Sequence, residues 1–390
     1  MRLAIVTSHP IQYQAPWFRA LAAQIDLEIF FCHRQDDKGQ ADAGYGTAFE
    51  WDVPLLDGYR HTWLKNVSRQ PNVFSFRGCD TPEIGTRLAE GRFDACILNG
   101  WYLKSHLQAI LACRRLGLPV FIRGDSQRAT DRPLLLRALK YPFYRTLLNS
   151  VTGHLYVGEA NRQYLLHYGV PSSRLWFVPH SVDDRRFREA AAFARQHGKT
   201  DEIRRRLSLP PDARIALFVG RLVAKKRPED FIRALAHLST THVVGVIVGS
   251  GPLQPDLERL ATECGVPVTF AGFANQSELP AYYAAAHILV LPSDSGETWG
   301  LVANEALACG TPIVVSDQTG CSRDLIEPDT GKIFPCGDIH ALSRAITAMV
   351  DERAAHPDAV QRATASMSAR YGSQAAADAT ITALRQSLTL

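Results

Sequence analysis

Several sequence features that mark other classes of protein are missing from this chain. No apolar run approaches the roughly 20 residues that a membrane-spanning helix needs. Residues 1–8 combine a short strand pattern with a polar turn and lack the apolar segment of a signal peptide. The eight cysteines contain no C-x-x-C pair, which argues against a zinc site and against a disulfide framework. We therefore expect reduced thiols and a cytoplasmic location.

The turn after the first predicted strand also lacks a common cofactor motif. Residues 2–7 (R-L-A-I-V-T) are typical of a buried strand, and the turn that follows reads S-H-P-I-Q. A dinucleotide-binding fold carries G-x-G-x-x-G at this point, because its glycines let the backbone approach the pyrophosphate. The absence of these glycines disfavours a dehydrogenase.

The composition is that of an ordinary globular protein. At 390 residues the chain exceeds what one hydrophobic core usually holds, so we expect two domains. Hydrophobic residues make up 46% and charged residues 21%, which is enough apolar material for a sizeable core. The formal net charge of +4 is too mild to indicate a nucleic-acid partner, but it permits weak contact with an anionic membrane surface.

Short apolar strands alternate with helical patterns along the whole chain, and this alternation predicts parallel sheets of the α/β class. The predicted strands cover residues 2–7, 27–32, 95–98, 120–122, 154–157 and 175–178, then 215–219, 243–248, 268–270, 286–291 and 313–315. Between residues 179 and 210 the sequence is charged and helical and contains no strand. The boundary between the two domains is predicted there.

The stretch at residues 293–315, S-D-S-G-E-T-W-G-L-V-A-N-E-A-L-A-C-G-T-P-I-V-V, organises the second half of the chain. It predicts a strand, a glycine loop, a helix from about Gly300 and a second strand, and ligands of open α/β sheets collect at such strand ends. Glu297 and Glu305 flank the helix start. The backbone N–H groups between them belong to Thr298, Trp299, Gly300 and Leu301. Amides suit a phosphate and carboxylates accept from sugar hydroxyls; the alternative is that both glutamates are solvated helix residues.

Three earlier strand ends carry glycines, cations or an aromatic ring. These residues are Gly220, Arg221 and Lys226, then Gly249 and Gly251, then Phe273. Two cations at the mouth of a parallel sheet can bind a diphosphate and stabilise it as a leaving group. Taken singly, each feature has an alternative as a solvated basic loop or a plain turn. Their occurrence at four consecutive strand ends favours one ligand site.

With these motifs in this order, residues 215–345 resemble the retaining glycosyltransferases of the GT-B fold, and in particular family 4, the glycosyl transferases group 1. The resemblance rests on the G-R turn with Lys226, the G-S-G-P turn at residue 249, the F-A-G strand end at residue 270, and two glutamates separated by seven residues. A turn at Gly320 and a hairpin at residues 330–331 are also similar. The first half resembles the family more loosely, through S-H-P-I-Q at residue 8 and V-P-H-S-V-D at residue 178.

The resemblance implies two Rossmann-like domains that face each other across a cleft. Residues 1–185 would bind the acceptor, residues 186–368 would bind a nucleotide-sugar, and a helix at 369–390 would return to the N-terminal domain. Arg221 and Lys226 would hold the diphosphate of the donor. Glu297 would bind hydroxyls of the donor sugar. Glu305 would bind the ribose hydroxyls, with the glycine turns, Phe273 and the amides of residues 298–301 completing the donor site.

The chain departs from the family pattern at three places. The frequent E-G-F-G reads E-T-W-G here, and the glycine-rich N-terminal loop is replaced by H-P-I-Q. Many members carry a histidine at the end of the fourth N-domain strand, where this chain reads R-G-D-S. We expect Asp125 to take the catalytic place of that histidine, with Arg123 as the alternative. His9, Gln12 and Arg123 are predicted on the acceptor side, although His9 could instead only cap its turn.

The predicted reaction is a retaining, metal-independent transfer of a hexose-type sugar from a UDP- or GDP-sugar. The acceptor would be a glycan or a lipid-linked glycan in cell-surface polysaccharide synthesis. A D-x-D pair, usual in the metal-dependent transferase fold, appears as D-S-G at residue 294. Since Arg221 and Lys226 can neutralise the diphosphate, no metal and no cofactor are expected. The alternatives are a GT-B sugar-nucleotide epimerase and a non-catalytic nucleotide-sugar-binding protein.

Two segments of the first half favour a macromolecular acceptor. Residues 33–58 are polar and irregular, as expected for a long functional loop. Residues 134–148 predict a helix rich in cations and aromatics, kinked or broken at Pro142. Such a helix suits weak contact with the inner face of a membrane. The alternative is a partly buried helix whose cations extend to solvent.

Overall fold

A computed structural model describes residues 1–34, 49–128, 134–238 and 242–388 of the chain. These residues divide into two units. The first unit contains the described parts of residues 1–39, 54–181 and 373–390, and the second contains those of residues 40–53 and 182–372. Of the loop predicted at residues 33–58, the part at 35–48 lies outside the described residues.

The first unit is built on a parallel sheet. Its strands are β1 (Arg2–Thr7), β2 (Asp26–Phe31), β3 (Arg60–Trp63), β4 (Ala95–Asn99), β5 (Val120–Gly124), β6 (Gly153–Tyr156) and β7 (Leu175–Phe177). Their order in the described sheet is β3-β2-β1-β4-β5-β6-β7, and every pair is parallel. The helices are Ala15–Ala22, Ile84–Gly91, Lys104–Leu116, Leu134–Asn149, Glu159–His167 and Ser373–Leu388, with a 3₁₀ turn at Ser172–Arg174.

Apolar residues cover both faces of this first sheet, which is why its strands read as unbroken apolar runs. Successive residues of β1 illustrate the alternation, since Ile5 and Val6 are fully buried in different core clusters. The C-terminal helix Ser373–Leu388 packs on the helix Ala15–Ala22. The indole of Trp17 donates to the hydroxyl of Thr380 at 3.2 Å. The helix at the end of the chain therefore completes the first unit, as the resemblance implied.

The second unit contains a shorter parallel sheet. Its strands are β8 (Arg214–Val219), β9 (Val243–Val248), β10 (Val268–Gly272), β11 (Ile288–Leu291), β12 (Ile313–Ser316) and β13 (Gly331–Phe334). Their order is β10-β9-β8-β11-β12-β13. The helices are Asp184–Gln196, Lys199–Arg206, Pro228–Ala236, Gln254–Cys264, Leu279–Ala285, Val302–Ala308, Ser322–Leu325, Ile339–Ala355 and Pro357–Arg370, with a 3₁₀ turn at Ala224–Lys226.

Side-chain caps and glycines set several helix ends as the sequence dictates. The carboxylate of Asp183 accepts from the N–H of Arg186 at 3.2 Å, and that of Asp338 accepts from Ala341 at 2.8 Å. Both satisfy first-turn N–H groups that have no partner within the helix. Gly117 ends its helix with φ 65°, in the left-handed region.

The α/β class and the two domains with parallel sheets are confirmed. The helix Leu134–Asn149 continues through Pro142, so it is not broken there, and the alternative of a kink stays a prediction. Two local predictions were wrong. Residues 330–331 do not form a hairpin, because Gly331 opens β13, which pairs in parallel with β12. The predicted start of a helix at Gly300 is displaced to Val302. None of the described helices is long and apolar enough to cross a membrane.

Candidate functional site

The carboxyl ends of β8 and β9 meet in a close backbone contact. Gly249, which follows β9, has φ 142° and donates its N–H to the carbonyl of Gly272 at 2.8 Å. A Cβ atom at Gly249 would lie 2.0 Å from the carbonyl oxygen of Gly220, which follows β8. Only glycine permits such an approach. Two of the predicted glycine turns therefore lie directly against each other.

A backbone hydrogen bond and a second close contact also join the residues that follow in these two turns. Leu222 donates its N–H to the carbonyl of Ser250 at 2.9 Å. A Cβ at Gly251 would come within 2.6 Å of the carbonyl oxygen of Leu222, and Gly251 has φ 159°. Arg221 precedes Leu222 and is partly exposed. The fixed turn thus presents one predicted phosphate-binding cation at the edge of the second sheet.

Lys226 and Glu297 form an ion pair at this edge. Nζ of Lys226 lies 2.5 Å from Oε2 of Glu297, and the two side chains are only 10% and 12% exposed. Lys226 ends the 3₁₀ turn at Ala224–Lys226. The N–H of Asp294 donates to the carbonyl of Lys225 at 2.9 Å, which ties the loop that carries Glu297 to the turn that carries Lys226. The structure therefore brings the lysine predicted to bind phosphate into direct contact with the glutamate predicted to bind the sugar.

The backbone after Glu297 is held by the turn that follows β12. Gly320 donates its N–H to the carbonyl of Glu297 at 3.1 Å, and Cys321 donates to the carbonyl of Trp299 at 3.1 Å. A Cβ at Gly320 would lie 1.8 Å from the carbonyl oxygen of Thr298. The predicted turn at Gly320 therefore has a physical reason, since any larger residue would displace the loop that carries Glu297.

The buried side chain of Trp299 holds this loop in place. Its indole ring is 3% exposed, and its Nε1 donates to the side-chain carbonyl of Asn304 at 2.8 Å. Gly300 follows with φ 95°, which a residue inside a right-handed helix does not adopt. This conformation explains why the helix begins at Val302, with Leu301 as its N-cap, rather than at Gly300. The side chain of Trp299 is part of the core, so only its backbone can contribute to the predicted donor site.

Glu305 is buried in the helix Val302–Ala308 and held by two side chains. The hydroxyl of Tyr283 donates to Oε2 at 2.7 Å, and the amide of Gln276 donates to Oε1 at 3.3 Å. Burial raises the pKa of Glu305 above its ordinary value, while the bonds from Tyr283 and Gln276 and the charges of Arg186 and Lys226 act against that rise. Lys226 therefore influences both predicted glutamates of the donor site.

Arg186 supports Gln276 in turn. Its guanidinium donates to the backbone carbonyl of Gln276 at 2.9 Å and to the side-chain carbonyl at 2.8 Å. The second bond fixes the amide orientation, so that the NH₂ group faces Glu305. No sequence motif marked Arg186, Gln276 or Tyr283, because each acts through a neighbour and stands in an ordinary helical or turn segment.

Phe273 lies after β10, next to a segment from earlier in the chain. Its ring centroid is 4.7 Å from that of Phe49. Asn275 donates its side-chain N–H to the carbonyl of Glu50 at 2.7 Å, and Ser277 donates its N–H to the carboxylate of Asp52 at 3.1 Å. The segment at residues 49–53 is thereby part of the second unit. Phe273, which was predicted to belong to the donor site, therefore lies against a second aromatic ring, Phe49, which the sequence did not indicate.

The first unit carries the predicted acceptor-side residues at the carboxyl end of its own sheet. Arg123 is 4% exposed, its guanidinium donates to the carbonyl of Pro179 at 2.9 Å and stacks over Trp17 with 4.5 Å to the ring centroid. Burial lowers the pKa of Arg123 to about 10, and the charges of Tyr13 and Asp125 act in the opposite direction. Arg123 therefore stays charged at neutral pH but is fixed inside the unit.

His9 and Asp125 lie beside the sheet end, and Gln12 is partly exposed in the turn after β1. Burial, with a smaller contribution from His33, lowers the pKa of His9 to about 4, so its imidazole is neutral at pH 7. Nδ1 of His9 lies 2.9 Å from the hydroxyl of Ser8. This contact fits the alternative that His9 caps its own turn.

One further pair at this sheet end escaped the sequence analysis. The rings of Tyr13 and His180 meet edge to face with 5.4 Å between their centroids. His180 is 6% exposed, and burial together with the charge of Arg123 lowers its pKa well below the ordinary value. The V-P-H-S-V-D segment contained His180, but nothing in its spacing indicated a contact with Tyr13.

The predicted residues thus fall into two sets, one on each sheet. The donor set follows the carboxyl ends of β8, β9, β10 and β11, and the acceptor set lies at the carboxyl ends of β1 and β5. Within the described ranges, no group of three or more His, Cys, Asp or Glu side chains is arranged to hold a metal ion.

Part of the second half of the chain is similar to known sequences. Residues 199–366 match the family model of glycosyl transferases group 1. The D-inositol 3-phosphate glycosyltransferase of Thermomonospora curvata is 36% identical over 208 residues, covering 50% of this chain and 47% of that protein. That of Mycolicibacterium smegmatis is 37% identical over 179 residues, covering 45% and 40%. The chain spans about half the length of the curated relatives it matches.

Solved structures share the fold over almost the whole chain. HepE of Anabaena, in complex with UDP, superposes with a TM-score of 0.74 at 16% identity and covers 99% of this chain and 100% of its own. A glycosyltransferase of Rickettsia africae gives 0.75 at 13% identity, covering 99% and 98%. At these identities the likeness concerns the fold alone. Residues 199–366 therefore match the glycosyl transferases group 1 family, on a chain that has the GT-B fold of solved glycosyltransferases.

Proposed function

We propose that this protein is a glycosyltransferase that moves a sugar from a nucleotide-sugar to an acceptor with retention of the anomeric configuration. The observation that carries the proposal is the buried pair of Lys226 and Glu297 beside Glu305, within the segment that matches the family. A cation for phosphate and carboxylates for hydroxyls, at fixed glycine turns, is the chemistry that a nucleotide-sugar requires. Both UDP- and GDP-sugars remain candidate donors.

In this proposal Lys226 interacts both with the diphosphate of the donor and with Glu297. Arg221 and Lys226 bind the diphosphate and stabilise its charge as the sugar departs. Glu297 accepts from the sugar hydroxyls and stabilises positive charge at the anomeric carbon. The leaving phosphate takes the proton of the acceptor hydroxyl on the same face of the sugar, so that no protein nucleophile is needed. Glu305 accepts from the ribose hydroxyls.

The acceptor side is proposed for the first unit, with Asp125 as the catalytic residue there and His9, Gln12 and Arg123 around the acceptor. The proposed acceptor is a glycan or a lipid-linked glycan in cell-surface polysaccharide synthesis. The names of the relatives add D-inositol 3-phosphate as an acceptor to be tested. The reaction is proposed to need neither a metal nor a cofactor, because the two cations neutralise the diphosphate.

The decisive experiment is a panel of UDP-, GDP- and ADP-sugars in a thermal-shift and hydrolysis assay with the full chain. A true donor raises the melting temperature with increasing concentration. Glu297→Ala should abolish sugar transfer, while Glu258→Ala, an exposed glutamate on the helix Gln254–Cys264, serves as the matched control. Wild-type turnover in Glu297→Ala would contradict the assignment.

The same assay separates the alternatives. Product anomers read by NMR test retention, and activity that disappears in EDTA would contradict metal independence. Conversion of the donor to an epimer without an acceptor would indicate the sugar-nucleotide epimerase. Tight donor binding with neither hydrolysis nor transfer would indicate a non-catalytic binding protein.

We further propose that the protein acts at the cytoplasmic face of a membrane. The helix Leu134–Asn149 exposes Leu135, Leu139 and Phe143 to 72%, 67% and 61%. Residues spaced by four lie on one helix face. The exposed Lys140 and Arg145 belong to the same helix, which contains no acidic residue. An apolar stripe with cations suits shallow contact with anionic lipid.

Co-sedimentation with phosphatidylglycerol vesicles tests this contact, with phosphatidylcholine vesicles as the lipid control. Replacing Leu135, Leu139 and Phe143 by serine should remove binding. Serine at Leu111 and Leu116, exposed on the helix Lys104–Leu116, should leave it unchanged. Equal binding by both variants would contradict the proposal.

A further inference from the structure

The second unit contains a cavity of about 290 Å³ that none of the predicted donor residues lines. It lies between the helix Asp184–Gln196, the end of the helix Val302–Ala308 and the helix Pro357–Arg370. Three of its lining residues are arginines, namely Arg188, Arg195 and Arg353, and none of the described lining residues is Asp or Glu. Arg188 is paired with the carboxylate of Asp184 at 3.6 Å, so the positive charge of the lining rests mainly on Arg195 and Arg353.

Two of these arginines bond to neutral acceptors. A guanidinium N–H of Arg195 donates to the carbonyl of Cys309 at 2.5 Å, and one of Arg353 donates to the carbonyl of His287 at 2.6 Å. Burial, and then the charge of Arg195, lowers the pKa of Arg353 to about 10, so Arg353 remains charged at neutral pH. Each guanidinium has five N–H donors, and these carbonyls use one apiece. The remaining donors suit an anion.

Ser368 also lines the cavity and is 5% exposed. Its Oγ has no hydrogen-bond partner among the described residues and almost no accessible surface of its own. A buried polar atom without a partner is costly and uncommon in folded proteins. Rotation about χ1 would turn this hydroxyl toward the cavity, where an oxygen of a bound anion would satisfy it.

The rest of the lining is apolar, including Leu307, Pro357 and Val360. The volume lies at the lower end of the range for small-molecule sites, roughly 300–1,000 Å³. We propose that this cavity is a second anion site, which binds the phosphoryl group of a small phosphorylated metabolite between Arg195 and Arg353. The site is separate from the donor site and does not depend on the proposed function.

The proposal is tested with inorganic phosphate and pyrophosphate, each against sodium chloride of equal ionic strength. Melting temperature and calorimetric affinity are measured on the full chain and on Arg195→Gln, Arg353→Gln and their double variant. Each arginine removed should weaken phosphate binding about tenfold. Arg362→Gln removes an exposed charge from the helix Pro357–Arg370 outside the cavity lining and should leave binding unchanged.

Two more variants keep the test decisive. Lys226→Met removes a predicted diphosphate contact, so a phosphate response that survives in it belongs to the second site. Ser368→Ala should raise the melting temperature without phosphate, because an unpartnered buried hydroxyl is removed, and should weaken phosphate binding. A purely structural serine would leave phosphate affinity unchanged. Wild-type phosphate affinity in both Ser368→Ala and the folded arginine variants, or no specific response in the wild type, would overturn the proposal.

Discussion

Neutralising Glu297 should have opposite effects on stability and on nucleotide affinity. Glu297→Gln keeps the shape of the side chain but removes the carboxylate that lies 2.5 Å from Nζ of Lys226. The charge of Lys226 is then left in a site where its residue is only 8% exposed. A second carboxylate, Glu305, still interacts with Lys226 and compensates part of the loss.

The magnitude follows from the burial of the pair. Removing one partner of a buried ion pair costs about 3–5 kcal/mol, because the remaining charge is uncompensated. For Lys226→Met we expect about 3 kcal/mol, since two carboxylates lose their shared cation. A change of this size lowers the melting temperature of a unit this large by about 6–12 °C. Glu297→Gln should cost less than Lys226→Met, and the double variant should cost less than the sum of the two.

Nucleotide affinity should change in opposite directions in Glu297→Gln and Lys226→Met. UDP and GDP carry the diphosphate but lack the sugar that is transferred, so they compete with Glu297 for Lys226 without using Glu297 as an acceptor. Calorimetry should show about tenfold tighter binding to Glu297→Gln and about tenfold weaker binding to Lys226→Met. The reasoning is refuted if both variants weaken binding equally, or if neither changes the melting temperature.

Three other predictions concern the residues around this pair. The pKa of Glu305 is raised in the folded state, which therefore binds this proton more tightly than the unfolded state does. The free energy of unfolding should fall as the pH rises from about 4.5 toward the folded pKa. Glu305→Gln should flatten that part of the profile of melting temperature against pH. Trp299→Phe removes the hydrogen bond to Asn304 and should lower the free energy of unfolding by about 1–3 kcal/mol. Urea unfolding measures this loss, and an unchanged free energy of unfolding would show that the hydrogen bond does not stabilise the loop. Gly249→Ala should abolish nucleotide binding in calorimetry, because its Cβ would meet the carbonyl oxygen of Gly220; retained affinity would show that the turn can move.

The sequence was sufficient for the strands that are buried on both faces. Unbroken apolar runs, such as β1 and β9, have one physical explanation in a chain that alternates with helices. Strands β3 and β13 were not predicted. β3 (R-H-T-W) is polar and partly exposed, because it lies at the edge of the sheet, and β13 is an edge strand with a buried–intermediate–exposed–buried pattern. Edge strands lack two-sided burial, and the edge strands β7 (L-W-F) and β10 (V-T-F-A-G) were predicted only because their residues are largely apolar.

The candidate site was predictable where it depends on backbone geometry. Glycines at the ends of parallel strands meet at one edge, so Gly220 and Gly249 could be placed together from topology. Side-chain contacts across the loops could not be predicted in this way. Nothing in the local sequence indicates that Lys226 meets Glu297, or that the indole of Trp299 turns inward, because these contacts depend on how the loops pack.

The surroundings of Glu305 show why its proposed role and its burial are compatible. A carboxylate has about four lone-pair positions, and Tyr283 and Gln276 occupy one on each oxygen. Acceptor capacity therefore remains for ribose hydroxyls. The same two donors favour the ionised form against the effect of burial, and Arg186 fixes the amide of Gln276. Any buried glutamate needs partners of this kind, and in the proposed function they also hold Glu305 in place as an acceptor for the ribose hydroxyls.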